Sequence, residues 1–382
     1  MRRFLLRHRK APGDLLVFSA LVRDIALTYP EQYAISLDTS ANELWTANPY
    51  VTSIENPAAQ QDIEPLTMDY GPALNMVHCR NRHFLLGFHE DFEYKTGIHV
   101  PLRYPRPDYH LTDEEKAVPL FKDRYWVVLA GGKTDFVTKH WSYKRWQQLI
   151  NVLRGFGLRF VQVGAVGRAK NIAHIQPILE NVYSLVGLTT LRDLGRLIYH
   201  ADGVICPVTA TMHFAAALQK PCVVIGGGRE EWWWEAYVPG LHNFGDEIVE
   251  DVRVPHRYLH TLGTLDCCGR RGCWRNQVTG AQSVCKYVEF TAGQHIPRCM
   301  NMITVNHVVE AVMSYYEEGI LPPIGTPRPI IFRDGRPYLL KPGEESPPEE
   351  SALVKAMTIP EPILLERTEG MRALSMQPQK QA

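Results

Sequence analysis

Gly203-Val204-Ile205-Cys206, then Thr209-Ala210-Thr211-Met212-His213, then Pro221-Cys222-Val223-Val224-Ile225 closing on Gly226-Gly227-Gly228, is the stretch that decides the fold. Two short, continuously apolar runs bounded by turn residues read as buried strands, and a helix begins between them near Thr211. Strands apolar on both faces belong to a parallel sheet covered by helices on both sides.

The same alternation extends outward. Upstream lie strands at Tyr125–Ala130 and Arg159–Val163. Between them Trp146, Leu149, Ile150 and Leu153 give a helix one apolar face, with Ser142 as its expected cap. Thr190 and Asp193 form a capping box before Leu191, Leu194, Leu197 and Ile198. At the start of the chain, Phe4-Leu5-Leu6 reads as a strand and Gly13-Asp14 opens a helix to about Thr28. Tyr33–Leu37 is a second strand, and Asn42–Ala47 a short helix. The expected class is α/β, with two Rossmann-like halves, residues 1–118 and 119–320, facing across a cleft. A helix from Val305 to Tyr316 closes the second half or crosses back to the first. Ligands of open parallel sheets bind beyond the C-terminal ends of the strands, so the site is expected in that cleft.

Composition bounds the function. The 382 residues carry 41 Lys+Arg against 41 Asp+Glu. Zero net charge argues against a nucleic-acid or anionic-membrane partner, both of which need a positive field. No apolar run approaches the ~18 residues of a spanning helix. Met1-Arg2-Arg3 starts basic, but Phe4–Leu6 is too short for a signal peptide's apolar region. The expected compartment is cytoplasmic and reducing. From Leu321 on, the chain holds 11 of its 27 prolines and no Cys or Trp. This reads as a flexible tail or docking arm, with a hairpin over Ile330–Leu340 turning at Asp334-Gly335.

Four strand ends carry candidate chemistry. Asp14 suits a general base toward a substrate hydroxyl, and equally a helix-capping carboxylate. Lys139, in Lys139-His140-Trp141, suits a diphosphate beside a helix N-terminus, and equally a solvated surface position. The backbone of Thr209, Ala210 and Thr211 can approach phosphate oxygens, while His213 by itself reads as structural. Gly228, Arg229 and Glu230 suit an anion or sugar, and equally a tight turn with an ion pair. Trp232-Trp233-Trp234 stacks on a sugar or packs its own loop.

Five of the eight cysteines crowd into residues 264–300. Cys268, Cys273, Cys285 and Cys299 suit a structural zinc or iron, with Arg270, Arg271 and Arg275 expected to lower the thiol pKa values. Free core cysteines or disulfides are the plainer readings.

In this order the segments resemble glycosyltransferase family 9, the ADP-heptose heptosyltransferases, over about residues 3–315. The resemblance rests on Gly13-Asp14 with Tyr29-Pro30, Asn48-Pro49 with a Val51–Ile54 strand, and Lys139-His140-Trp141. It continues through Gly187–Asp202 and His213-Phe214-Ala215-Ala216-Ala217-Leu218 with Pro221. It implies a GT-B architecture and inverting transfer from a nucleotide sugar, ADP-heptose favoured, to a saccharide or protein hydroxyl. Asp14 would be the base, Lys139 and the Thr209–Thr211 backbone would hold the diphosphate, and Leu188 would lie near the nucleotide base. No catalytic divalent ion is implied. The chain departs from the family at Val208-Thr209-Ala210, where many members have Asp-Thr-Gly. The cysteines are similar in kind to the bound iron of the protein-modifying branch, which leaves a homo-oligomer open. Other readings are a nucleotide-sugar epimerase or hydrolase, and a non-catalytic sugar-binding module.

Overall fold

The computed structural model describes residues 1–52, 62–77, 79–169, 172–238, 254–269 and 271–324, with the backbone of 330–333 and 336–339. In chain order the first half has β1 (Arg2–His8), α1 (Pro12–Thr28), β2 (Tyr33–Thr39), β3 (Ile63–Thr67), α2 (Gly71–Asn75), α3 (Phe84–Thr96) and α4 (Asp113–Ala117). The second has β4 (Trp126–Val128), β5 (Gly132–Lys133), α5 (Tyr143–Gly155), β6 (Phe160–Gln162), β7 (Gly167–Ala169), β8 (Ile172–Ile175) and β9 (Tyr183–Ser184). It continues through α6 (Leu191–His200), β10 (Gly203–Pro207), α7 (Ala210–Ala217), β11 (Cys222–Gly227), α8 (Trp232–Glu235) and β12 (His256–His260). Then come β13 (Val288–Thr291), β14 (Gln294–Pro297), α9 (Arg298–Asn301), α10 (Val305–Glu317), β15 (Ile330–Arg333) and β16 (Arg336–Leu339).

The first half carries a parallel sheet of order β2-β1-β3. The second carries a six-stranded parallel sheet of order β12-β11-β10-β4-β6-β9. The chain leaves β4 toward β6 and β9, then returns to lay β10, β11 and β12 on the other side. Strand order therefore reverses between β4 and β10, the position in an open parallel sheet at which a ligand crevice is expected. Lys139 lies in the connection from β4 to α5, beyond β5, and Thr209 and Ala210 lie where β10 passes into α7.

Side chains alternate between faces along these strands, as the pleat requires. Trp126, Val128, Ile205, Val223 and Ile225 pack with α5 and α10. Val127, Val204, Cys206 and Val224 face the other way and share one core with α1, α3, α7 and the first sheet. Helix α1 is buried without interruption from Leu15 to Ile25, because it runs between α3 and α7.

Polar contacts fasten the connection between the halves. Arg23, 1% exposed, pairs with Asp24 at 2.8 Å and donates to the carbonyls of Tyr104 and Arg106. Arg106 in turn donates to the Ala217 carbonyl at 3.2 Å. Arg192 of α6 pairs with Glu115 and donates to the His110 carbonyl.

Several expectations need correction. The strand at Tyr125–Ala130 is shorter, and the Asn42–Ala47 helix is a 3-10 turn over Asn42–Trp45. Val51 and Thr52 lie outside any strand, and Ser53 and Ile54 lie outside the described residues. Ser142 sits at the N-cap of α5 without a side-chain bond; the Tyr143 amide instead donates to Gln294 Oε1 at 2.7 Å. Helix α10 closes the second half, against α5, β11 and β12. The β15–β16 hairpin forms, with its Asp334-Gly335 turn and the tail beyond residue 339 outside the described residues. No described helix is long and apolar enough to cross a membrane.

Candidate active site

Helices α1 and α7 meet at their N-termini. A Cβ on Gly13 would stand 3.2 Å from the His213 ring and 3.4 Å from Ala210 Cα, so glycine eases the close approach. Pro12, the first residue of α1, needs no amide partner there. Asp14 is not the N-cap residue. It sits a turn further in, and its Oδ2 accepts from the Ala11 amide at 2.9 Å. The Tyr70 hydroxyl also hydrogen-bonds Asp14, and burial together with that carboxylate's charge raises the tyrosine's pKa. Lys10 Nζ lies 4.0 Å from the centre of the Tyr70 ring and 3.0 Å from Asp69 Oδ1.

Lys139 comes from the opposite wall. It ends a 3-10 turn over Thr134–Lys139, and buried Trp141 anchors the segment by donating to the Ile303 carbonyl at 2.9 Å. The Lys139 side chain is 20% exposed and pairs with Glu230 Oε1 at 3.0 Å, so it is no solvated surface lysine. Burial lowers its pKa to about 8, against the opposing pull of Glu235 and Asp14. The charge of Asp14 therefore acts on Lys139 across the crevice.

Arg229 stands beside it, buried against Phe136 and Trp274, whose ring centres are 4.9 and 5.5 Å from the guanidinium. Its Nε donates to the Arg275 carbonyl at 2.8 Å, and its Nη1 bonds the same Glu230 oxygen that Lys139 holds. Glu235, buried at the end of the tryptophan run, has its pKa raised by desolvation while Lys139 and Arg229 oppose the shift.

The remaining candidates divide. His213 is buried with Nδ1 2.9 Å from the Tyr237 hydroxyl, and burial lowers its pKa to about 3, so it is neutral. The Thr209 hydroxyl turns back to the Pro207 carbonyl, leaving the loop's backbone, not that hydroxyl, for a ligand. Thr211 Oγ1 is buried without a hydrogen-bond partner among the described residues. Gly228 faces the cysteine segment, where a Cβ would lie 3.4 Å from Cys268 Sγ. Leu188 is 74% exposed on the loop before α6. Two of the tryptophans pack on distant rings of the chain: Trp234 stacks on Phe84 of α3 at 5.1 Å and Trp232 on His260 at 5.4 Å. The sequence reading missed Tyr70, Phe136, Trp274 and Glu235. Of these only Glu235 had a local signal, as the acid ending a conspicuous aromatic run.

The cysteine segment backs the site. The Trp274 amide donates to the Arg229 carbonyl at 2.9 Å, and the Arg275 carbonyl also accepts from Thr138 Oγ1 at 2.7 Å. The thiols converge, since Cys268, Cys273 and Cys285 act electrostatically on both Cys267 and Cys299. Four soft donors in one irregular segment suit zinc or iron in kind. Their arrangement does not: no group of three or more His, Cys, Asp or Glu among the described residues could hold an ion. Cys268 Sγ instead meets the Leu265 carbonyl at 3.2 Å, and Cys285 Sγ the Tyr287 carbonyl at 3.3 Å. The expected lowering by arginines is reversed: burial pushes Cys267 to about 11 and Cys299 to about 12. Arg270 lies outside the described residues.

The model of glycosyltransferase family 9 (heptosyltransferase) matches residues 77–248, just under half of the chain. This bears out the resemblance read from the motifs, and with it the enzyme class, glycosyltransferase. By sequence, no curated protein matches. Among solved structures, the iron-containing dodecameric glycosyltransferase TibC from enterotoxigenic E. coli is 17% identical with a TM-score of 0.55. The match covers 83% of this chain and 77% of that one. TibC in complex with ADP-D-beta-D-heptose is 16% identical with a TM-score of 0.53, over 83% of this chain and 76% of that one. A family 9 glycosyl transferase from Veillonella parvula is 10% identical with a TM-score of 0.50, over 83% and 97%. At these identities the likeness is one of fold, the GT-B architecture with parallel α/β sheets.

Proposed function

We propose that the chain transfers a sugar with inversion from a nucleotide-diphosphate donor, ADP-heptose favoured, to a hydroxyl of a saccharide or protein. One observation carries this reading. At the β4/β10 strand-order reversal a carboxylate from the start of α1 is brought together with the N-terminus of α7 and a buried lysine of the second half. That is what direct displacement needs. Asp14 takes the acceptor hydroxyl's proton as its oxygen attacks the anomeric carbon. The bond to the diphosphate breaks on the opposite face. The charge that develops on the departing nucleotide falls to Lys139 and the amides at the start of α7. The solved TibC complex with ADP-D-beta-D-heptose supports the choice of donor.

The test is Asp14→Asn in the full chain, with ADP-heptose and a panel of saccharide and protein acceptors. Nucleotide binding should persist, while transfer falls by about 100-fold or more. Undiminished transfer would remove Asp14 from the role of base. Sugar release without any acceptor would make the chain a hydrolase.

A further inference from the structure

Two cations and four carboxylates meet at this crevice. Lys139 and Arg229 supply the positive charge; Asp14, Asp135, Glu230 and Glu235 all bear on Lys139. An incoming diphosphate adds further negative charge to a pocket already in acidic excess. Glu230 is the carboxylate in the way. Its Oε1 is bonded by Lys139 Nζ at 3.0 Å and by Arg229 Nη1, the two cations best placed for a phosphate. The residue is only 6% exposed, so water screens the arrangement little.

We propose that Glu230 is an internal anion occupying the phosphate position between Lys139 and Arg229, and that the donor's diphosphate binds by displacing it. The inference rests on the donor reading above. It reverses the expectation that Glu230 is itself a donor contact. The two cations differ in what they can do during the exchange. Arg229 is fixed by the Arg275 carbonyl and by the rings of Phe136 and Trp274, so it holds its place when the carboxylate leaves. Lys139 is a point charge on a flexible stem and can follow either anion. Glu235 also bears on Lys139 and opposes the loss of its proton. The consequence is selectivity by charge. A ligand must bring enough negative charge to replace a carboxylate, which favours a diphosphate over a neutral nucleoside.

The experiment is calorimetric titration of the full-length protein with ADP, inorganic pyrophosphate and adenosine at one ionic strength. Glu230→Gln keeps the shape and removes the charge. It should bind ADP and pyrophosphate about tenfold tighter than the parent, with adenosine unchanged. Glu230→Asp keeps the charge but draws it back one methylene from Lys139, and should show part of the gain. It carries the test if the glutamine variant does not fold. Weaker ADP binding in either variant would make Glu230 a ligand contact and overturn the proposal, as would unchanged affinity for both anions. If pyrophosphate binds tighter to the variant while no nucleotide binds either protein, the displacement stands and the donor reading falls.

Discussion

Lys139 is a cation that titrates near its working range. Desolvation lowers its pKa to about 8, and the carboxylates of Glu235 and Asp14 keep it from falling further. The ammonium is present below that value and lost above it, so ADP affinity should decline as pH rises through about 8. Lys139→Arg, which stays charged, should abolish that limb. Titrating both proteins with ADP from pH 6 to 9.5 checks it, and a decline shared by both would assign the limb elsewhere. This lysine was legible in the sequence because its segment, Lys139-His140-Trp141, pairs a charge with a buried anchor. Asp14 was legible because it follows a strand and opens a helix. Tyr70 was not, since nothing in its neighbours' spacing announces a contact with Asp14, and the aromatic run that Glu235 ends says nothing of Lys139.

At the scale of elements, local rules read well where the partner is close in sequence. Thr190 and Asp193 cap α6 as their spacing predicts. They fail where the partner is distant: the first amide of α5 is satisfied by Gln294, 151 residues away. The cysteine segment shows the same limit. Spacing brought the thiols to notice, but spacing does not distinguish convergence from coordination. What the segment does for the site depends on a close backbone approach. Gly272 has φ +63°, and a Cβ there would lie 2.5 Å from the Arg229 carbonyl oxygen. Gly272→Ala should therefore cost about 1–3 kcal/mol in stability through backbone strain and displace the loop that carries Arg229. Denaturant unfolding measures the first effect, and ADP titration the second, as a loss of affinity. A variant with parental stability and affinity would show that the segment does not set Arg229.

At the scale of the molecule, the β-α alternation was legible because buried parallel strands are apolar throughout. The polar part of the joint between the halves was not, because it runs through Arg106 and Arg192, charges a sequence reading leaves on the surface. Burial of polar groups near the joint has a consequence in acid. His213 lies at the contact of α1 with α7 and His256 begins β12 beneath it; both are 4% exposed, with burial lowering their pKa values to about 3. His140, 7% exposed beside Lys139, is lowered to about 4 for the same reason. An unfolded histidine takes a proton near pH 6.5, whereas these stay neutral while the fold is intact. Between about pH 6.5 and their folded values the unfolded chain binds more protons, so stability falls as pH falls. Each of the three contributes up to about 1.4 kcal/mol per pH unit once its unfolded form is fully protonated. Urea unfolding at steps from pH 7.5 to 4.5 should show a steepening loss of stability below about 6.5. His256→Gln should flatten the slope by about one proton relative to the parent. A stability constant across that range would mean that these imidazoles are protonated in the folded protein and meet partners that hold their charge.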